Sequence, residues 1–236
     1  MICASFDNSD ELATLLAVPD DQLLPTAVIF DLDGVIRDWN EVEISRVEVA
    51  YGLEPGTILR VGFGTELGQA ATTGKLDYRS WMDAIRSQIT ATHGIEVAGA
   101  LDAWEANVGL INTEMLQVLR SVRSQATVAL LSNGTTRLRR DLAVLDLTDE
   151  FDAIFNTAEI GIAKPDPAVF HHVLSELETT APDTLFIDDL ALNVQGALSI
   201  GIGAHHHLDA SSTVEFLCAN GFTMSGISTP MTGFLQ

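Results

Sequence analysis

Five short apolar segments punctuate the chain: "AVIF" at 27–30, "TVALLS" at 127–132, "AIFNT" at 153–157, "TLFIDD" at 184–189 and "GIGAHH" at 201–206. The first is apolar at consecutive positions, the pattern of a strand covered on both faces. Between the later segments stand stretches of helical character, "TTRLRRDLAVLDL" (135–147), "DPAVFHHVLSELE" (166–178) and "ALNVQGALSI" (191–200). Strand and helix alternating at this spacing predict βαβ units, hence an α/β fold around a parallel sheet.

One interval breaks the alternation. Residues 39–116 contain no convincing strand and read as helices: "NEVEISRVEVAYGL", "TELGQAAT", "YRSWMDAIRSQITATHG" and "GALDAWEANVGLINTEMLQVLR". All three tryptophans, Trp39, Trp81 and Trp104, fall there. A stretch of that length between the first and second strands is too long for a loop and suits a small inserted helical domain. The organisation expected is a leader over 1–24, a core over 25–38 and 117–236, and a helical cap over 39–116. The leader carries a modest helical pattern, "DELATLLAV", ended by Pro19 and Pro25.

Charge narrows the partners. The 236 residues include 33 acidic and 12 basic side chains, a formal net charge of −21. So negative a surface repels nucleic acid phosphates and acidic lipid headgroups. The apolar runs are far too short to span a bilayer, and the acidic start "MICASFDNSDEL" lacks the basic and apolar regions of a signal peptide. Cys3 and Cys218 lie near opposite ends, without metal-ligand or redox spacing. These features lead us to expect a cytoplasmic, reduced protein. Only Lys75 and Lys164 are lysines, which makes each worth a question.

The polar residues at the strand ends carry the chemistry. In open α/β sheets ligands bind beyond the C-terminal ends of the strands. Asp31 and Asp33 follow the first segment, Ser132 and Asn133 end the second, Asp188 and Asp189 end the fourth, and Lys164 stands in "GIAKPDP" after the third. Each alone is an ordinary turn residue. Together, clustered carboxylates require a counter-cation, and donors rich in oxygen and free of sulfur suit a hard ion such as Mg²⁺.

Four motifs in order, "DLDGVI" (31–36), "LLSNGT" (130–135), "KPDP" (164–167) and "FIDDLALN" (186–193), together with the cap-sized insertion, resemble the haloacid dehalogenase superfamily. The resemblance is to its phosphatases with a Rossmann-like core and a helical cap of the first type. It is nearest to the branch whose fourth motif reads D-D-x-x-x-N, which includes sugar-phosphate phosphatases and the phosphatase domain of some epoxide hydrolases. It implies that Asp31 attacks phosphorus to form an aspartyl-phosphate, and that Asp33 protonates the leaving alcohol and then activates water. It also implies Mg²⁺ held by Asp31, the Asp33 carbonyl and Asp189, with phosphate bound by Ser132, the Asn133 and Gly134 amides and Lys164. A helix beginning near Thr135 would direct its positive end at that phosphate.

The substrate implied is a small phosphorylated metabolite, with a sugar phosphate among the candidates. Aligned on Asn193, Asp189 takes the place of the metal-binding acid, and Asp188 is left to orient Lys164 or a metal-bound water. Strand alternation, which sends adjacent side chains to opposite faces, favours the same division. Dehalogenases of the superfamily lack the second acid, because a halide leaves without a proton. Mutases of the β-phosphoglucomutase type keep both acids and are the alternative, as is a silent binding module of the same fold. Arg37, Trp39, Arg46 and Phe63 are candidate substrate contacts, and Arg137 stands near the expected site entrance. Arg137, Arg139 and Arg140 read as solvating a helix face or pairing with acidic neighbours. The run His205, His206 and His207 alternates in direction and reads as loop rather than metal site.

Overall fold

The structure, a computed structural model, describes residues 24–64 and 66–224. The helical pattern of the leader lies outside the described residues. From Ala27 the chain runs through β1 (Ala27–Phe30) and β2 (Arg37–Asp38) into five helices: α1 (Glu41–Ala50), α2 (Thr57–Phe63), α3 (Glu66–Thr72), α4 (Tyr78–His93) and α5 (Ala98–Ala106). It returns through β3 (Leu110–Ile111), α6 (Thr113–Arg123) and β4 (Thr127–Ser132). Then follow α7 (Leu138–Val144), β5 (Ala153–Asn156), α8 (Thr157–Ile160), α9 (Pro167–Glu176), β6 (Thr184–Asp188), α10 (Ala191–Leu198), β7 (Gly203–His206) and α11 (Ala210–Ala219).

Five strands form one parallel sheet in the order β5-β4-β1-β6-β7. The central strand β1 shows why the first segment is apolar throughout: Val28, Ile29 and Phe30 have no exposed surface. Val28 and Phe30 face a cluster with Met115, Leu119 and Val122 of α6 and Leu217 of α11. Ile29 faces the opposite cluster, with Val169, Phe170 and Val173 of α9. Each residue of the strand therefore buries its side chain against a helical layer. From β1 the chain adds β4 and β5 on one side, then crosses to place β6 and β7 on the other. Connections that part in opposite directions open a crevice at the C-terminal ends of β1 and β6.

The insertion leaves and re-enters the core side by side. There β2 and β3 pair antiparallel, Arg37 opposite Ile111 and Asp38 opposite Leu110. A third apolar cluster is drawn wholly from the insertion and centres on Trp81. Rings of Phe63, Tyr78 and Trp104 lie 4.9, 5.8 and 5.8 Å from it. One stripe of α4 (Trp81, Met82, Ile85 and Ile89) is buried there, as expected of an amphipathic helix. Hydrogen bonds join the insertion to the core. Thr157 Oγ1 donates to the Thr72 carbonyl (2.7 Å), and the Tyr78 amide donates to Thr136 Oγ1 (2.8 Å).

Three sequence expectations change. The helix read across 99–120 is two helices: α5 stops at Ala106, and Gly109 turns the chain at φ +81°. The Asn112 side chain then accepts from the Met115 amide and starts α6 afresh. Since Met115 and Leu116 pack in the cluster under β1, a boundary at 116 cuts through a helix of the core. The helix expected from near Thr135 begins at Leu138, after a loop and a turn.

Helix α2 was not legible as a helix, because "EPGT" before it reads as a turn and Gly56 offers no capping side chain. Its start is capped from a distance. Glu48, fully buried, accepts from the Gly56 amide (2.5 Å) and the Ile58 amide (2.8 Å). Glu48→Ala strands both donors, and we expect a stability loss of about 1–3 kcal/mol in denaturant titration, with Glu48→Gln losing less. An unchanged midpoint in Glu48→Ala would show that water replaces the cap.

Candidate active site

Ends of three adjacent strands converge on one ammonium. Lys164, its side chain without exposed surface, places Nζ 2.9 Å from Asp31 Oδ1 and 2.7 Å from Asp188 Oδ2. Nζ also donates to the Leu131 carbonyl at 2.8 Å. Asp31 follows β1, Leu131 lies in β4 and Asp188 ends β6, so the lysine bridges the crevice predicted by the sheet order. Burial alone would lower the Lys164 pKa, but the charges of Asp31 and Asp188 outweigh it and raise the value.

Asp31 has one oxygen anchored: Oδ1 accepts from Lys164 and from the Leu32 amide (2.7 Å). Burial raises its pKa from 3.8 to about 8; the Lys164 charge opposes this, and the charges of Asp188 and Asp33 add to it. Asp189 is also raised, by burial first and by the charge of Asp188 next. Asp31, Asp188 and Asp189 each present a carboxylate oxygen, all within 4.8 Å of one another. Three carboxylates against one ammonium leave this corner short of positive charge. An all-oxygen donor set with that deficit fits a hard divalent cation such as Mg²⁺.

The alternation argument for Asp188 and Asp189 fails at this point, because β6 ends at Asp188 and Asp189 is already in a bend. Both therefore reach the cluster. They differ in what they have to spare. Asp188 Oδ1 accepts from the Leu190 amide (2.8 Å) and Asn193 Nδ2 (2.9 Å), while Oδ2 accepts from Lys164 and from Asn193 (3.1 Å). Asp189 lies over Gly34, whose φ is +78°, and a Cβ there would come 2.4 Å from Asp189 Oδ2. The glycine after Asp33 is thus required twice, by conformation and by space.

Asp33 turns away from the carboxylate cluster. Its Oδ1 accepts from Arg37 Nε (2.6 Å) and Trp39 Nε1 (2.8 Å), and its Oδ2 from Arg37 Nη2 (3.0 Å). Arg37, buried, also lies 3.5 Å from Asp141 Oδ2. Arg137 completes the run: Nε binds Asp141 (2.7 Å), Nη1 the Tyr78 hydroxyl (2.6 Å) and the Glu105 carbonyl (2.9 Å), and Nη2 the Asn107 carbonyl (3.1 Å). A continuous chain of ion pairs connects Asp33 to the insertion.

A cleft of about 620 Å³ is lined by Asp31, Asp33, Ser132, Asn133 and Asp189, with Phe63 and Trp39 above. The Asn133 side chain is turned to the loop that carries Lys164. Its Oδ1 accepts from the Lys164 amide (2.8 Å) and its Nδ2 donates to the Lys164 carbonyl (3.0 Å), clamping the loop that carries the lysine.

Several other expectations are corrected. Arg46 sits on an exposed face, its side chain 75% accessible and paired with Glu43 at 3.0 Å. Arg37 and Trp39, expected as substrate contacts, both bind Asp33. Of the two readings of the arginines, pairing with acidic neighbours is the one seen: Arg137, buried, pairs with Asp141 and Arg139 with Glu159, each at 2.7 Å. His205 and His206 lie in β7 rather than in a loop, and the three rings diverge. His205 stacks on Phe216 at 4.9 Å, His206 meets the Asp189 carbonyl at 2.9 Å and His207 meets Thr213 at 2.7 Å. Sequence reasoning missed Asp141 as a support, since only three-dimensional pairing singles it out, and it gave Asn193 a place in the motif but not its bond to Asp188.

Residues 25–201 match the haloacid dehalogenase-like hydrolase family. The chain belongs to this family. It is 29% identical over 191 residues to the sesquiterpene phosphatase astK of Aspergillus oryzae, covering 79% of this chain and 92% of that one. It is 24% identical over 184 residues to the D-ribitol-5-phosphate phosphatase of Bacteroides thetaiotaomicron, covering 74% and 87%. A crystal structure of a haloacid dehalogenase family enzyme from Bacteroides thetaiotaomicron, in complex with magnesium and inorganic phosphate, shares the fold. The TM-score is 0.61 at 21% identity, over 76% of this chain and 92% of that one. Among the described residues no helix is long and apolar enough to cross a membrane.

The fit of Asp189 over Gly34 is directly testable. Gly34→Ala combines a strained φ with a carboxylate clash, and we expect about 1–3 kcal/mol of destabilisation by denaturant titration. Wild-type stability in that variant would mean that the turn relaxes freely.

Proposed function

We propose that this hydrolase is a Mg²⁺-dependent phosphatase of small phosphomonoesters, working through an aspartyl-phosphate on Asp31. The observation that carries the reading is the division of labour between two acids on one cleft. Asp31 has Oδ1 fixed by Lys164 and Leu32, leaving Oδ2 to attack phosphorus. Asp33 is fixed by Arg37 and Trp39 on the same wall. As Asp31 Oδ2 bonds to phosphorus, the bond to the ester oxygen breaks; Asp33, which takes up a proton from solvent before this step, passes it to that oxygen and releases the alcohol. Asp33, again a carboxylate, takes a proton from water, whose oxygen attacks phosphorus as the bond from phosphorus to Asp31 Oδ2 breaks. Inorganic phosphate leaves, and both acids return to their starting states.

Asp31, Asp189 and the main chain of Asp33 would hold the Mg²⁺, which supplies positive charge between the carboxylates and the incoming phosphate. Lys164 offsets the remaining negative charge, and Ser132 with the Asn133 and Gly134 amides holds the phosphate oxygens. The insertion acts as a cap that closes over the substrate and excludes water. Its hydrogen-bonded junction with the core suits a surface that opens and closes. The relatives that are phosphatases by name support the reaction class, and their names span a terpene and a polyol phosphate.

Phosphate release from p-nitrophenyl phosphate should vanish with EDTA and return with added Mg²⁺; full turnover in chelator would overturn the metal requirement. Asp31→Asn should lower kcat by several orders of magnitude, the scale of losing a nucleophile. Wild-type turnover in Asp31→Asn would remove that residue from the mechanism. Asp33→Asn should be crippled too, while its Mg²⁺ affinity, measured by calorimetry, stays close to wild type.

A further inference from the structure

The cleft over the carboxylates continues into a second cavity of about 290 Å³ between core and insertion. The two share Asp33, Trp39, Glu41, Phe63 and Asn133 in their walls. Asp33, the residue assigned to the leaving oxygen, therefore stands where one opens into the other. An ester with its phosphate at Asp31 would extend its alcohol portion past Asp33 into this second space.

The chemistry of that space is apolar. Trp39, Ile44, Leu59, Phe63 and Trp104 contribute side chains to it. Leu59 and Phe63, one turn apart on α2, remain 40% and 45% exposed, and both line this cavity. The charged groups in the wall are already satisfied by one another. Arg37 is spent on Asp33 and Asp141, and Arg137 on Asp141, the Tyr78 hydroxyl and two carbonyls. The Asn133 amide is spent on Lys164. Glu41 stands at the mouth. A polyol entering here would trade hydrogen bonds with water for contacts with rings and saturated ion pairs, whereas an apolar chain gains by leaving water.

We propose, resting on the phosphatase reading, that the leaving group is an apolar alcohol, alkyl, prenyl or aromatic, seated in this cavity. At about 30 Å³ per non-hydrogen atom, the share of a water molecule in the liquid, the cavity holds roughly ten such atoms. Each buried methylene multiplies affinity about fourfold, so a chain of this size is strongly preferred over a polyol. Leu59 and Phe63 are the residues that determine this specificity.

The test compares octyl phosphate, below its aggregation concentration, with glycerol 3-phosphate. Binding is read on the Asp31→Asn protein with Mg²⁺ from the fluorescence of Trp39, Trp81 and Trp104, all of which line the cavity. Turnover is read on the wild type as phosphate release. Octyl phosphate should bind at least 100-fold more tightly and show the same ordering in kcat/KM. Combining Leu59→Asn with Phe63→Ser should cut that ratio at least tenfold. Ile95→Asn, at an exposed residue outside the cavity, should leave it as it is. Equal affinities, a preference for glycerol 3-phosphate, or a ratio indifferent to the cavity substitutions would overturn the proposal. Selective binding without turnover of either ester would support the apolar cavity and strike the phosphatase reading alone.

Discussion

The ammonium of Lys164 has no water to solvate it, so its charge must be answered inside the protein. It is answered by Asp31 and Asp188, with the Leu131 carbonyl completing its donors. This single group holds together the ends of β1, β4 and β6, where loops would otherwise carry like charges apart. The arrangement propagates outward. Asp188 is itself saturated by Asn193 and Leu190, and the loop bearing the lysine is clamped by Asn133. Removing the lysine would leave two buried carboxylates facing each other, which explains a lysine in a chain that holds only two.

A second charged system meets the first at Asp33. It alternates in sign through Arg37, Asp141 and Arg137 and ends on carbonyls of the insertion. The orientation of Asp33 is thereby coupled to the seating of the insertion on the core. In the proposed mechanism, coupling of that kind would make the acid–base chemistry of Asp33 sensitive to how the insertion is seated.

Much of this was legible in the chain. Strand β1 is apolar on both faces because helices cover both, and its exit is marked by Asp31, Asp33 and Gly34 in immediate succession. The residues gathered by the sheet, Asp31, Ser132, Lys164, Asp188 and Asp189, are those the strand-end rule selects. What stayed hidden depends on pairing at a distance. Arg37 looked like a substrate contact because nothing local says that it turns back onto Asp33. The side chain of Asn133 is used on Lys164, 31 residues on. Alternation misjudged Asp188 and Asp189 because it holds only while the strand lasts. Periodicity ran through Asn107, Val108 and Gly109 because a two-residue strand leaves almost no trace in a hydrophobic pattern. Helix α2 was missed for a related reason: its cap is supplied by Glu48, eight residues before Gly56.

The antiparallel pairing of Arg37 and Asp38 with Leu110 and Ile111 has a consequence for how such a chain changes over evolutionary time. Because departure and return lie on neighbouring rungs of one ladder, the sheet beneath feels the same two endpoints whatever lies between them. The entropy of closing that gap grows only with the logarithm of the intervening length. A short turn, a single helix or a whole bundle can thus be exchanged there at nearly equal cost to the core. Specificity can be rewritten in the exchanged segment while the carboxylates and the lysine stay in register.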